Sequence, residues 1–313
     1  MHDLSPSPET PLRIGTRGSP LALAQAEETR TRLVAAHNLP ETAFEIVVIV
    51  TTGDRVQDRA LSEIGGKGLF TKEIEQAMLA GEIDIAVHSM KDMPVDQPEG
   101  LILDCYLPRE DVRDAFVSVQ YPSLAEVPSG TRLGTSSLRR RAQLMHARPD
   151  LEVVEFRGNV QTRLRKLDDG VAGATFLAMA GLTRLRMLGD VPHAPIETEV
   201  MLPAVAQGAI GIERRIADTR CAELLAAIHH HETGLRLAAE RAFLRGLDGS
   251  CQTPIGGLAE LADGELRLRG EIIRPDGSES LKHQLAGAVE DGAQIGAEAA
   301  AVLKGRGGIG FFL

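Results

Sequence analysis

Short runs rich in β-branched residues alternate with longer stretches of helical periodicity through most of this chain, and the texture changes near residue 229. Residues 12–16 predict a strand, and 20–36 a helix. The run Phe44-Glu45-Ile46-Val47-Val48-Ile49-Val50, bounded by turn formers, predicts a buried strand. A helix over 71–80 is closed by Gly81, where a C-terminal glycine belongs, and 83–87 reads as the next strand. After Tyr121-Pro122 the alternation resumes with strands at 131–134, 151–156 and 174–178. Helices follow from 138, over 159–167 and over 181–188, and Ser136 and Ser137 can cap the first of them. Strands alternating with helices predict parallel α/β architecture. Beyond 229, a helix over 234–246 precedes two period-two segments, 266–273 and 280–288, around Pro275-Asp276-Gly277. These predict antiparallel strands in a smaller α+β domain at the C-terminus. Residues 54–66 carry Asp54, Arg55, Asp58, Arg59 and Glu63 with no apolar period, and Gly53, Gly65 and Gly66 supply hinges. That segment is expected to be a mobile lid ending at Lys67.

Composition narrows the classes. A chain of 313 residues that is 43% hydrophobic can build two or three cored domains. The formal net charge of -10 and an aromatic content of 3% without Trp argue against a nucleic-acid binder. No apolar run reaches the length of a membrane span, and the polar N-terminus lacks a signal core. Three cysteines without paired spacing form no disulfide framework and no zinc pattern. The expectation is a soluble, cytoplasmic protein without nucleic-acid or membrane partners. The charge is unevenly spread: residues 132–186 hold 11 Lys and Arg against 5 Asp and Glu, a balance of +6. A basic segment in an acidic chain points to a specific anion site, or else to a solvated helix face.

Candidate chemistry concentrates in a few places. Gly249-Ser250-Cys251-Gln252-Thr253-Pro254-Ile255-Gly256-Gly257 sets a thiol in a glycine- and proline-flanked loop, free to stand into a cleft. Cys105 and Cys221 lie in apolar or helical surroundings and read as small core hydrophobes. Two successive strand-to-helix turns, Gly134 to Arg141 and Phe156 to Arg163, put arginines at helix starts, where free N–H groups and bidentate guanidiniums suit carboxylates or phosphates. In a parallel sheet such turns share the ligand edge. Arg13, Arg17 and Ser19 could extend that site. Val87-His88-Ser89-Met90-Lys91-Asp92 leaves a strand with one acid among bases. Asp92 is either a surface ion-pair partner of Lys91 or a carboxylate placed to stabilise a cation or move a proton. His229-His230-His231 has no further ligand at metal spacing, and Gly65-Gly66-Lys67-Gly68 lacks the rest of a phosphate loop.

Seven stretches, taken in order, resemble the porphobilinogen deaminase (hydroxymethylbilane synthase) family: 13–23, 65–70, 86–94, 134–140, 157–164, 202–213 and 249–256. Val87-His88-Ser89-Met90-Lys91-Asp92 and Leu202-Pro203-Ala204-Val205-Ala206-Gln207-Gly208 are the most specific, and the likeness runs from about residue 12 to about residue 287. The resemblance implies a transferase that joins four porphobilinogen molecules head to tail with loss of ammonia and releases hydroxymethylbilane for tetrapyrrole (haem) biosynthesis. It implies a dipyrromethane cofactor covalently attached to Cys251 by a thioether, as the primer on which the growing pyrrole chain is built, and no metal. By motif match Asp92 is the catalytic aspartate. Lys91, Ser137, Arg139 and Arg140 would bind the cofactor. Arg17, Ser19, Arg157, Arg163, Arg184 and Lys67 would bind substrate. The implied fold is α/β: two doubly wound domains resembling type II periplasmic binding proteins, 12-110 with 208-228 and 111-207, plus a small α+β domain over 229-313 that carries the cofactor cysteine. The protein is expected to act as a monomer. A non-catalytic anion-binding protein of the periplasmic type and a nucleic-acid-binding regulator using 139–163 are the alternatives. The Cys251 loop speaks against the first and the net charge against the second.

Overall fold

The computed structural model of the chain describes residues 5–55, 71–250 and 253–312. Lys67, Cys251 and all but the first two residues of the expected lid lie outside the described residues.

In chain order the first elements are β1 (Leu12–Arg17), α1 (Pro20–His37), β2 (Phe44–Ile49), α2 (Thr52–Arg55), α3 (Lys72–Leu79), β3 (Ile85–Ser89) and β4 (Leu101–Tyr106). Then come β5 (Asp114–Val117), β6 (Arg132–Gly134), α4 (Leu138–Ala147), β7 (Glu152–Val154), α5 (Val160–Asp168), β8 (Ala174–Ala178), α6 (Met179–Arg184) and β9 (His193–Ile196). The remainder is β10 (Ile210–Arg215), α7 (Thr219–Ala226), α8 (His231–Gly246), β11 (Ile255–Ala262), β12 (Glu265–Ile273), β13 (Ser280–Ala288) and α9 (Gly292–Gly307). The described residues divide into two compact units. The first holds the chain up to Arg109 together with Ala209–Gly234; the second holds Glu110–Gly208 and the chain from Leu235 on.

The first unit is built on a five-stranded sheet of order β2-β1-β3-β10-β4. β2, β1 and β3 are parallel, as the alternating pattern predicts, but β10 runs antiparallel to both β3 and β4. The second unit repeats the arrangement: in β7-β6-β8-β5-β9 the first three strands are parallel, and β5 is antiparallel to β8 and β9. Both sheets are therefore mixed, which corrects the expectation of parallel ones. In each, the reversed strand is the one with which the chain enters that unit, β5 after Arg109 and β10 after Gly208. Such a strand arrives without a preceding crossover helix to set its direction, so the local alternation gives no sign of it.

Local chemistry fixes several ends. Ser19 accepts the Ala22 N–H at the start of α1, Ser137 accepts the Arg140 N–H at the start of α4, and Asn159 accepts the Thr162 N–H at the start of α5. The helix predicted over 181–188 instead leaves β8 directly at Met179 and stops at Arg184, and Arg186 turns to φ 57°. Cys105 and Cys221 are buried in the apolar core of the first unit, and burial pushes both thiols up to about 12. They are inert core residues, as the sequence suggests.

The second unit also contains the antiparallel sheet β11-β12-β13 with α8 and α9. The glycine- and alanine-rich α9, which the sequence pattern left unassigned, is a packing device. A Cβ on Gly296 would collide with the Ala239 carbonyl of α8, so only glycine permits this helix approach. α8 places the fully buried Glu240 where its two carboxylate oxygens accept the Ala206 N–H (2.6 Å) and the Ala259 N–H (2.8 Å). One side chain thus ties the loop before β10 to strand β11. Glu240→Ala leaves two buried N–H groups without acceptors, each costing about 1–3 kcal/mol. Thermal unfolding should fall by at least about 4 °C; an unchanged midpoint would show the bridge to be dispensable.

Candidate active site

In the first unit the site grows from the C-terminal ends of two neighbouring parallel strands, the edge at which α/β sheets bind ligands. β1 ends at Arg17 and β3 at Ser89, and a single 3-10 turn, Met90–Asp92, follows β3. Arg17, Ser19, Gln25, Thr71, His88, Ser89 and Asp92 line a small cavity of about 80 Å³. The Gln25 amide bridges α1 to β3, with both its polar atoms within 3.0 Å of Ser89 Oγ. Asp92 is exposed, and its carboxylate has no hydrogen-bond or ion-pair partner among the described residues. It is not spent on a surface pair with Lys91, its neighbour in the turn. Behind the cavity His88 Nε2 lies 3.0 Å from Glu213 Oε2, both side chains buried.

Arg13 does not join this cavity. It sits at the other end of β1, about 13 Å along the strand from Arg17. There its guanidinium donates to the Asp84 carboxylate at 3.0 and 3.2 Å and to the Gly81 carbonyl at 2.8 Å. A strong local acid claims it, which corrects its place among the anion ligands.

In the second unit the two arginine turns look unlike solvated helix faces. Arg139 and Arg140 are 4% and 5% exposed, and both turn inward onto Asp114, the fully buried first residue of β5. Asp114 Oδ2 accepts Arg139 Nη1 at 2.7 Å; Oδ1 accepts Arg140 Nη2 at 2.6 Å, Arg140 Nε at 3.0 Å and Gln207 Nε2 at 3.1 Å. Arg139 Nη1 also reaches the Leu202 carbonyl and Gln143 Oε1, each at 2.9 Å, and Arg140 Nη1 donates to the Phe176 carbonyl. Gln143 in turn donates to the buried Glu271 of β12 at 2.7 Å. Burial acts to raise the Asp114 carboxyl, but Arg139 and Arg140 outweigh it and hold it well below the usual carboxylate range. Two guanidiniums face one aspartate, leaving positive charge in excess.

The remaining predicted ligands lie nearby in the same unit. Arg163 Nε donates to the Gly158 carbonyl at 2.9 Å, and Arg184 Nη2 to the Gly208 carbonyl at 3.1 Å. Gly208, at φ 86°, closes the loop: a Cβ there would meet the Glu110 carbonyl at 2.5 Å. Arg157 Nη1 and Arg139 Nε are buried donors with no acceptor among the described residues. Orphaned cationic donors beside excess positive charge are what a group carrying several carboxylates would satisfy, so these residues fit a dipyrromethane. Among the described residues no cluster of His, Cys, Asp and Glu could hold a metal ion. Of the histidine triplet only His231 is helical, while His229 accepts the Tyr106 N–H.

A family model described as porphobilinogen deaminase, dipyromethane cofactor binding domain, matches residues 12–223, and one for the C-terminal domain of porphobilinogen deaminase matches residues 235–305. The chain belongs to the porphobilinogen deaminase family. It is 67% identical over 307 residues to porphobilinogen deaminase of Paracoccus denitrificans, covering 98% of each chain. It is 55% identical to the chloroplastic porphobilinogen deaminase of Pisum sativum, over 96% of this chain and 83% of that one. Among solved structures, the methionine-binding protein MetQ aligns over 72% of this chain and 89% of its own, at 14% identity and a TM-score of 0.42. As a family member the chain is a transferase. It polymerises porphobilinogen with loss of ammonia to hydroxymethylbilane, and its cofactor is dipyrromethane.

Sequence reasoning missed Asp114, Glu213, Gln143 and Gln207. Asp114 opens the short apolar strand β5 and Glu213 lies within β10, each the lone acid of its strand, and only the fold shows what they face. Asp114→Asn would leave two buried guanidiniums without their counter-charge, a loss of about 3–5 kcal/mol. The native carboxyl is depressed below its unfolded value near 3.9, so its contribution is present above about pH 4 and is lost as pH falls further. The variant should be less stable than wild type at pH 7, with the difference narrowing below pH 4. A constant gap across thermal melts from pH 7 to pH 3 would contradict the assignment.

Proposed function

We propose that Asp92 is the catalytic carboxylate of the polymerisation and that Cys251 anchors the dipyrromethane by a thioether. In this reading Lys91, Ser137, Arg139 and Arg140 hold the cofactor's acetate and propionate groups. Arg17, Ser19, Arg157, Arg163, Arg184 and Lys67 hold those of porphobilinogen and the growing pyrrole chain. Asp92 hydrogen-bonds pyrrole N–H groups and stabilises the cation that forms when ammonia leaves and the substrate becomes an azafulvene. The bound dipyrromethane supplies the free pyrrole α-carbon on which growth begins. The observation that carries the reading is Asp92 itself: an exposed carboxylate, uncommitted among the described residues, on a cavity it shares with Arg17 and Ser19. A carboxylate kept free of internal partners retains its full charge for a developing cation. A thioether resists both hydrolysis and reduction, which suits a permanent anchor. We further read the chain as three domains, 12-110 with 208-228, 111-207 and 229-313. We read it as a cytoplasmic monomer without nucleic-acid partners; its excess of acid repels polyanions, and no helix among the described residues is long and apolar enough to cross a membrane.

Asp92→Asn keeps the shape and removes the charge, so the rate should fall on the order of 10²-fold or more with folding and cofactor content intact. Activity within a few fold of wild type would return Asp92 to the surface. The intact mass of the wild type should exceed the sequence mass by two linked pyrrole units, and Cys251→Ala should lack that increment. Cys105→Ser and Cys221→Ser should retain it. An unmodified yet fully active wild type would refute the anchor.

A further inference from the structure

Each coupling must also dispose of a proton. When the azafulvene's methylene carbon bonds to the free α-carbon at the end of the bound chain, that carbon still bears its hydrogen, and the ring stays cationic until the C–H bond breaks. Asp92 is poorly suited to take this proton. Its value to the reaction is its negative charge, which protonation would cancel just as the next cation forms.

The cavity of Asp92 has a second titratable wall. His88, the fourth residue of β3, lines it together with Asp92, Arg17 and Ser19. In the β3–β10 pairing Gly211 stands opposite His88 and Glu213 opposite Ala86, so Glu213 lies on the diagonal that shares the imidazole's face. Its Oε2 is 3.0 Å from His88 Nε2, with the side chains 5% and 0% exposed, and its other oxygen is buried without a partner among the described residues. From α3, Glu75 adds a third buried group, its carboxyl pushed up by burial and further by the charge of Glu213. A pair kept only for stability gains little from burying so much unsatisfied charge. An imidazole backed by a carboxylate and open to a ligand cavity is the arrangement of a general base.

We propose that His88 is the base that removes the α-hydrogen in each coupling step. Glu213 accepts the Nε2–H, which fixes the tautomer and leaves the lone pair on Nδ1, for which no hydrogen-bond partner exists among the described residues. The methylene–carbon bond forms, the C–H bond breaks, its electron pair restores the aromatic ring, and the proton goes to Nδ1. Glu213 stabilises the imidazolium. The proton then passes to the released ammonia, which departs as ammonium, so the ring is neutral for the next unit. This step rests on the reading of Asp92 as the residue facing substrate.

The test uses cofactor-loaded enzyme, verified by intact mass, and porphobilinogen deuterated at its free α-carbon, so that every coupling after the first breaks a C–D bond. His88→Gln should lower kcat by about 10²-fold or more with a smaller change in KM. It should also make C–H cleavage rate-limiting, so that a primary deuterium isotope effect appears that exceeds the wild type's. Glu213→Gln, which keeps the buried shape, should show the same isotope effect at a smaller loss of rate, and it decides the matter if His88→Gln does not fold. Nitrogen-15 NMR of the resting holoenzyme should find the His88 proton on Nε2. A slowed variant with no isotope effect, a His88→Gln enzyme within a few fold of wild type, or a proton on Nδ1 would overturn the assignment. A fast Asp92→Asn enzyme would sink the site reading instead, so the two failures are distinct.

Discussion

The second unit depends on one buried carboxylate. Asp114 is fully enclosed, and it is stable there because two guanidiniums and the Gln207 amide surround it. A charge in that position would otherwise cost several kcal/mol. The arrangement decides three things together. It pins the start of β5, the strand that enters its sheet in reverse. It holds Arg139 and Arg140 in fixed rotamers at the head of α4. Through Gln143 and Glu271 it connects α4 to the C-terminal sheet, whose first strand begins four residues after Cys251. One aspartate against two arginines leaves the cluster with positive charge in excess, so the group of atoms that stabilises the unit is also the anion site we propose.

The first unit shows the opposite economy. Arg13, Arg215 and Asp84 satisfy one another at the far end of the strands, and His88 pairs with Glu213 at the wall of the cavity. At the ligand edge Asp92 stands without a partner among the described residues. The arginines at the far end are paired, whereas the carboxylate we read as catalytic is left without an internal partner among the described residues. That separation allows a carboxylate to stabilise successive cations while a different group handles protons.

The sequence made much of this legible because its signals were local. Caps at Ser137 and Asn159, the β-branched run of β2 and the period-two strands β12 and β13 each follow from a few adjacent residues. The long motifs around Asp92 and Gln207 carried the family. What stayed hidden was set by partners distant in sequence. Arg139 and Arg140 announce an anion site, but only the fold reveals that Asp114, 25 residues upstream of Arg139, is already bound to them. Arg13 and Arg17 look equivalent in the sequence and lie at opposite ends of one strand. The reversed strands β5 and β10 follow from the chain's passage between units, which leaves no periodicity. α9 was missed because its glycines, which disfavour a helix in isolation, interrupt an otherwise helical alanine-rich run, and the one at Gly296 is required by close packing.

The central claim is a division of labour, in which buried arginines hold the primer and cavity residues serve elongation. Native mass spectrometry with limiting porphobilinogen tests it most directly. Arg139→Leu should impair assembly of the dipyrromethane adduct, whereas Arg17→Leu should carry the full adduct and stall with one to three added units. The same distribution of adduct and intermediates in both variants would contradict it.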